Sequence, residues 1–413
     1  MSKTRVVVVG AGAAGTMAAI SAASAGAETL LLERTKDGGR KILISGGGRC
    51  NILPAHLDET RFVTGSSTNT LRKIVRSWPL REQIAFFEDE VELPLKEEAN
   101  SGKLFPASNR ARDVRDRLIA LGEIRGVRMV PDTLVTSLAR AGRSWRVATA
   151  GSEPIEADTV IIATGGRSLP ETGSDGRGLA ILEALGHTIH PTYPALTPLT
   201  VEPCPFAALA GISLEVSISA RSEAPGETRS ATASGGFLFT HHGYSGPAVL
   251  DVSHVAVRSL SSGGPPACVL VRWTRLDEKG WEEKLQAHGT RTVAGVLRRE
   301  LPDRLAAALL ALAGVEPTRS LAQLKREDRR LLTETLVRFE LPWTGHPGYR
   351  KAEVTGGGVS LAEINPKTME SRLHPGLFLC GELLDGFGPI GGYNFLWAWV
   401  TGRAAGLGAA RTT

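Results

Sequence analysis

The sequence predicts an α/β protein in which a doubly wound domain is split by a β-rich and then helical stretch. Three observations predict it. A continuous apolar run at 6–9 leads through a glycine turn into a small-residue helix at 13–25 and a second strand at 29–32, a βαβ unit. Distant apolar strands also end in glycine, at Thr164-Gly165-Gly166 and at Gly381-Glu382. Between these, the patterning changes character and then returns.

The elements follow in order. Residues 71–91 read as helical, broken near Pro79, with Ile84, Phe87 and Val91 on one face. A second amphipathic helix is expected over 110–121, capped by Ser108 or Asn109, followed by short strands at 127–130, 146–149 and 159–163. Residues 195–275 alternate and are broken by Gly, Pro and Ser, which reads as β-rich. The stretch 281–340 reads as helical, with Leu321, Leu324, Leu331 and Phe339 on one stripe. These boundaries give a first segment at 1–190, a β-rich insertion at 191–278, a helical part at 279–345 and a returning segment at 346–413. The apolar stretch 391–410 contains Arg403 and several glycines, so a buried helix is expected there and not a membrane span.

Composition narrows the function. At 413 residues, 42% hydrophobic and 22% charged, the chain is globular and long enough for two or three domains. The net charge of +5 is spread among acidic residues without a run of like charge, so no nucleic-acid partner is expected. Cys50, Cys204, Cys268 and Cys380 form no CxxC pair. No metal site is therefore expected, and the cysteine pattern fits a reducing cytoplasm. The N-terminus reads as a strand and not as a signal peptide. Oligomeric state is not legible.

The chemistry begins at Gly10-Ala-Gly12-Ala-Ala-Gly15, placed between strand and helix. Gly10 permits the tight turn, Gly12 a close approach to pyrophosphate, and Gly15 tight helix–strand packing. The helix N-terminus adds free N–H groups, and Glu33 at the end of the second strand suits ribose hydroxyls. This Rossmann-like pattern alone does not separate NAD from FAD. The further glycine-ended strands, with Gly391-Gly392-Tyr393-Asn394 opening the last helix, suit an extended ligand across several strand ends, which favours FAD. That helix is expected to aim its N-terminus at the ligand crevice, with both glycines letting the backbone donate directly. Arg40, Lys41 and the run Ser45-Gly46-Gly47-Gly48-Arg49-Cys50-Asn51 suit a backbone wrapping a diphosphate and a planar ring. Cys50 reads as a packing or flavin-contact residue more than as a nucleophile.

The stretches GRKILISGGGRCN (39–51), FTHHGYSGP (239–247), VTGGGV (354–359), INPKTMES (364–371) and GELLDGFGPIGGYNFLWAW (381–399) closely resemble the bacterial BaiN/RdsA-type NAD(P)/FAD-dependent oxidoreductases, a group that includes aminoacetone-oxidase-like proteins. The resemblance runs from Val6 to about Gly408. It implies a Rossmann-like FAD-binding domain interrupted by a β-barrel-like plus helical insertion. It also implies FAD contacts at Gly10, Gly12, Gly15, Glu33, Arg40, Lys41, 45–51, Thr164, Gly165, Gly381, Glu382, Gly392, Tyr393 and Asn394. Tyr244 and Lys103 depart from the usual family residues. The segment 172–178 looks like the glycine-rich segment of fumarate-reductase-type flavoproteins. Some of those relatives attach flavin through a histidine after the second strand, but no histidine lies between Glu33 and Asn51, so non-covalent FAD is expected.

The expected function is an FAD-dependent oxidoreductase acting on a small-molecule substrate by hydride transfer. With no second GxGxxG, NAD(P)H is expected only as a transient donor. His241, His242 and Tyr244 are the acid–base candidates, and the insertion is expected to lid the flavin. The alternatives are a non-enzymatic FAD redox sensor or assembly protein, an amine oxidase using oxygen, and a nicotinamide dehydrogenase without flavin.

Overall fold

Four consecutive valines, Val6 to Val9, make the spine of a parallel sheet. They lie in β1 (Arg5–Val9), flanked by β2 (Glu28–Leu32) and β4 (Thr159–Ile162), and they are buried, as a strand covered on both faces requires. With β3 (Arg128–Val130) beyond β2 and β5 (Leu377–Leu379) beyond β4, the order is β5-β4-β1-β2-β3. The chain therefore winds outward one way from β1 and then the other way. The crevice of such a sheet lies at the carboxyl ends of β1 and β4, where the winding reverses.

The computed structural model describes residues 3–411 apart from 100, 225, 226 and 262. Two compact units emerge: residues 1–194 with 353–413, and residues 195–352. Each has its own apolar core.

In the first unit, α1 (Ala13–Ser24) follows β1, and α2 (Tyr393–Ala410) packs on it almost backbone to backbone. A Cβ on Gly402 would sit 2.4 Å from the Ala14 carbonyl oxygen, and one on Gly406 would sit 2.2 Å from that of Ala18. Small residues spaced by four thus explain why α2 is apolar without an amphipathic stripe. Among the described residues no helix is long and apolar enough to cross a membrane. Two smaller antiparallel sheets complete the unit. One joins Leu53–Pro54, Lys103–Pro106 and Leu95–Glu98. The other joins Val135–Ala141, Ser144–Thr149 and Ser152–Ala157, where the sequence marks only the middle strand.

The second unit is built on a six-stranded antiparallel sheet in the order Leu199–Thr200, Gly243–Ser245, Glu227–Thr240, Ser213–Ala224, Cys268–Arg272, Phe339–Glu340. The structure corrects three expectations here. Pro247–Ser259 is a helix inside the β-rich stretch, because Pro247 at its first turn and Val249, Val252, Val255 and Ala256 on its buried face outweigh the β-preference of valine. Leu331 is 48% exposed, and Leu332 and Leu336 form the buried stripe instead. Phe339 lies beyond the helix and pairs with Val271 as an edge strand. In the first unit the helix Ala111–Ile124 is preceded by Arg110, which makes no side-chain cap, in place of Ser108 or Asn109.

Gly406→Val would force a branched side chain into the Ala18 carbonyl. Overpacking of this kind costs roughly 1–3 kcal/mol. Thermal unfolding of the variant should shift down by several degrees, and an unchanged midpoint would mean the helices are not in backbone contact.

Candidate functional site

At the end of β1 the chain turns through Gly10, which has a φ of +102°; a Cβ there would lie 2.7 Å from the Ala163 carbonyl at the end of β4. Its N–H donates to the Leu32 carbonyl of β2 at 2.8 Å, so three strand ends meet at one residue. Gly15 presses α1 onto this turn, since a Cβ would fall 1.8 Å from the Gly10 oxygen. Gly12 is different: its φ is −78°, and nothing lies within 4 Å of where its Cβ would be. It occupies the N-cap of α1, with no side-chain cap and no acidic residue in the first turn. The helix start thus keeps free N–H donors and positive partial charge facing open space. Glu33 is buried; Oε2 accepts from the Ala11 N–H at 2.8 Å, and Oε1 accepts from the Thr35 N–H at 2.9 Å and its hydroxyl at 2.7 Å. It fastens the turn, and three of its roughly four acceptor positions are taken.

The 38–51 loop is shaped mainly by its own side chains. Gly46, Gly47, Gly48 and Cys50 have positive φ, and Gly47 faces open space. Ser45 Oγ donates to the Ile42 carbonyl at 2.7 Å, and Arg40 pairs with Asp37 at 3.0 Å. Arg49 pairs with Glu98 at 2.7 Å and lies over the Phe105 ring. With its amide oriented to satisfy its neighbours, Asn51 donates to the Leu53 and Leu104 carbonyls and accepts from the Gly392 N–H at 3.1 Å. Burial pushes the Cys50 thiol up to about 12, so it stays a neutral packing group at physiological pH.

Lys41 leaves this loop for a polar hub. Its Nζ lies 2.5 Å from Glu382 Oε2 and donates to Ser168 Oγ at 2.7 Å. Glu382 Oε1 accepts from the Thr355 N–H at 3.0 Å, from the Thr355 hydroxyl at 2.8 Å and from the Ser168 hydroxyl. Ser168 and Thr355 escaped the sequence reading, although Thr355 stands inside VTGGGV and Ser168 follows the 164–166 cluster. Beside the hub, Thr164 Oγ1 and Ser174 Oγ are buried without a partner. A Cβ on Gly165 would fall 2.6 Å from Ser174 Oγ. Unsatisfied hydroxyls, open Gly12 and an uncapped helix end together fit an extended, phosphate-bearing ligand across the strand ends.

The start of α2 corrects one expectation. Gly392 (φ +89°) is required by packing, because a Cβ would lie 2.3 Å from the backbone carbon of Leu53, and its N–H is held by Asn51. Gly391 (φ +124°) is the one of the pair that faces open space. Tyr393 Oη accepts from the Asp58 N–H at 3.2 Å, and Asn394 bonds both the N–H and the carbonyl of Gly388 at 2.9 Å. Asn394 thus holds the 381–392 loop, and Tyr393 ties the 56–58 segment to the start of α2.

Tyr244 is likewise corrected as an acid–base candidate. It is fully buried in the second unit among Phe206, Phe237 and Phe239, and burial pushes its phenol above the ordinary range. Such a ring packs a core and is not placed as an exposed acid or base. His241 and His242 lie on an exposed turn of the same unit. No group of His, Cys, Asp or Glu among the described residues could hold a metal ion.

The chain matches the family described as HI0933-like protein Rossmann domain over residues 4–408. It is 32% identical to the 3-dehydro-bile acid Δ(4,6)-reductase of Clostridium scindens, covering 98% of this chain and 99% of that protein. It is also 32% identical to the ribosomal RNA dihydrouridine synthase of Escherichia coli, covering 98% and 97%. A relative named for ribosomal RNA removes the support for excluding nucleic acid on charge alone. The 3-ketosteroid-Δ4-(5α)-dehydrogenase of Rhodococcus jostii RHA1, solved with 4-androstene-3,17-dione, shares the fold at 16% identity and a TM-score of 0.51, covering 99% and 97%. The chain belongs to this HI0933-like family, the BaiN/RdsA family of flavoprotein oxidoreductases, and its parallel sheet with glycine turns is the Rossmann-type FAD-binding domain of such an enzyme.

Proposed function

We propose that this enzyme holds FAD without a covalent link and moves a hydride between it and an activated ring alkene, with NAD(P)H as a transient electron donor. The observation that carries the reading is the open, uncapped start of α1 at the switch point of the sheet. The N–H groups there suit a diphosphate, and the remaining acceptor position of Glu33 suits a ribose hydroxyl. Bound flavin supplies hydride chemistry that no side chain can. The Lys41–Glu382 hub fixes the 38–51 and 381–392 loops relative to each other on either side of the strand ends.

The substrate class rests on the relatives. A Δ(4,6)-reductase and a dihydrouridine synthase are both named for adding two hydrogens across a ring carbon–carbon double bond. A cyclic enone and a uracil ring share that polarised alkene, so we assign the class and not one molecule. A transient donor is favoured because the sequence has no second GxGxxG to bind a nicotinamide. Four free cysteines fit a cytoplasmic setting.

Three outcomes test the cofactor assignment. Gly12→Ala adds a methyl to open space at an ordinary φ, so apo stability should hold while FAD affinity falls at least tenfold by titration calorimetry; equal affinity would mean that no ligand approaches Gly12. Glu33→Gln turns an amide N–H₂ towards N–H donors, so it should weaken FAD and also cost stability by about 1–3 kcal/mol, read by denaturant unfolding. Acid precipitation should release the yellow colour into the supernatant, and colour left in the pellet would contradict non-covalent binding.

A further inference from the structure

We propose that His190, anchored by Asp385 and Ser66, is the proton-exchanging residue of the flavin site. The inference rests on the reading above. It starts from a carboxylate that the cofactor argument does not use.

Asp385 lies on the 381–392 loop, and its side chain is only 2% exposed. Oδ2 accepts from the Ser66 hydroxyl at 2.7 Å and Oδ1 from the Gly65 N–H at 3.3 Å, while the Thr64 hydroxyl has one proton for two acceptors, the Asp385 carbonyl at 2.7 Å and Oδ2 at 2.9 Å. All of these donors are neutral groups, so none of them supplies a countercharge. The ring that faces it is His190, whose Nε2 lies 3.7 Å from Oδ2 and 3.3 Å from Ser66 Oγ.

The hydrogen-bond count assigns the tautomer. Ser66 gives its one hydroxyl proton to Asp385 and accepts from the Leu361 N–H at 3.1 Å, so it can only accept from His190. Nε2 therefore carries a proton, and Nδ1 is the atom that gains or loses one. Nδ1 has no protein partner among the described residues, and the side chain is 32% exposed. One nitrogen is held by Ser66, which itself donates to the buried carboxylate, while the other has no protein partner among the described residues, the arrangement of a working acid or base. A merely structural pin would not need the exposed nitrogen, because Thr64, Ser66 and Gly65 already tie the two loops together. His187, three residues earlier, shows the contrast: it is buried with both nitrogens committed, to Glu363 and Ser371.

His190 also lies beside the cofactor elements. Its strand, Ile189–Ala195, pairs with Val354–Val359, and at Gly357 the backbones come so close that a Cβ would lie 2.3 Å from the Pro191 oxygen and 3.0 Å from that of His190. Two residues earlier on that glycine strand, Thr355 bonds Glu382. Of the charged groups on the neighbouring elements, Glu382 is committed to Lys41, Glu363 to His187 and Thr188, Glu353 lies beside Lys41 and Glu382, and the 63–66 segment carries no charge.

In the reduction of a ring alkene the protonated imidazole would give its Nδ1 proton to one carbon while reduced flavin gives a hydride to the other. The π bond is consumed, two C–H bonds form, the flavin is oxidised by two electrons, and water reprotonates Nδ1.

The test uses FAD-loaded enzyme labelled with ¹⁵N-histidine, titrated by NMR in the oxidised and dithionite-reduced states, with His190 assigned from the signal lost in His190→Gln. A proton site facing the flavin should bind its proton about tenfold more tightly once the ring carries the extra electrons, and Asp385→Asn should lower that affinity in both states. If Asp385→Asn does not fold, Ser66→Ala removes the second anchor and should lower it as well. An identical midpoint in both redox states, or midpoints insensitive to the anchors, overturns the assignment. Failure to load FAD at all would instead refute the cofactor reading.

Discussion

Helix α1 can offer its N-terminus to a ligand only because the chain around it comes within distances that no side chain allows. Gly15 lets the helix touch the Gly10 carbonyl, and Gly402 and Gly406 let α2 touch the carbonyls of Ala14 and Ala18 from the other side. Clamped between backbone on both faces, α1 cannot tilt or slide to satisfy its own free donors, and no cap does so for it. The open end is thus a product of packing elsewhere. This is preorganisation in the plain sense: donors fixed before the ligand arrives cost no rearrangement on binding.

The same logic governs the loops. Most side chains expected to touch the cofactor are occupied with each other: Arg40 with Asp37, Arg49 with Glu98, Asn51 with the Gly392 N–H, Asn394 with Gly388. What they leave open is the space beside the backbone at Gly12, Gly47 and Gly391. A cofactor recognised by backbone donors places few demands on exposed side-chain identity, but strict ones on glycine. That is why glycine-rich stretches carried the family resemblance so clearly.

Legibility in the sequence followed range. The strand–turn–helix–strand at the N-terminus was readable because its periodicity and glycine spacing are local. The buried nature of α2 was readable from Arg403 among small residues. What was hidden lay in long-range pairing. His190 and Asp385 sit far apart in the chain with no pattern linking them, and Ser66 stands in an ordinary polar turn. Tyr244 misled for the opposite reason: it stands in a conspicuous motif, yet its ring packs into the core from the short strand Gly243–Ser245 while His241 and His242 lie on the exposed turn before it. The valine-rich helix Pro247–Ser259 was missed because a buried helix and a buried strand share the same apolar composition.

Two carboxylates three residues apart on the 381–392 loop show how environment, and not residue type, divides the work. Glu382 faces Lys41 at 2.5 Å, so the pair is neutral as a whole and acts as a fastener. Removing either partner would leave a partly buried charge without its counterion, which is why such pairs hold loops in place. Asp385 is held by hydroxyls and an amide, donors that steady its charge without cancelling it. The imidazole of His190 is the ring that lies beside it, with Nε2 3.7 Å from Oδ2. Near a ring that becomes more negative on reduction, an imidazole already supported from behind by a carboxylate would have its proton affinity coupled to the redox state.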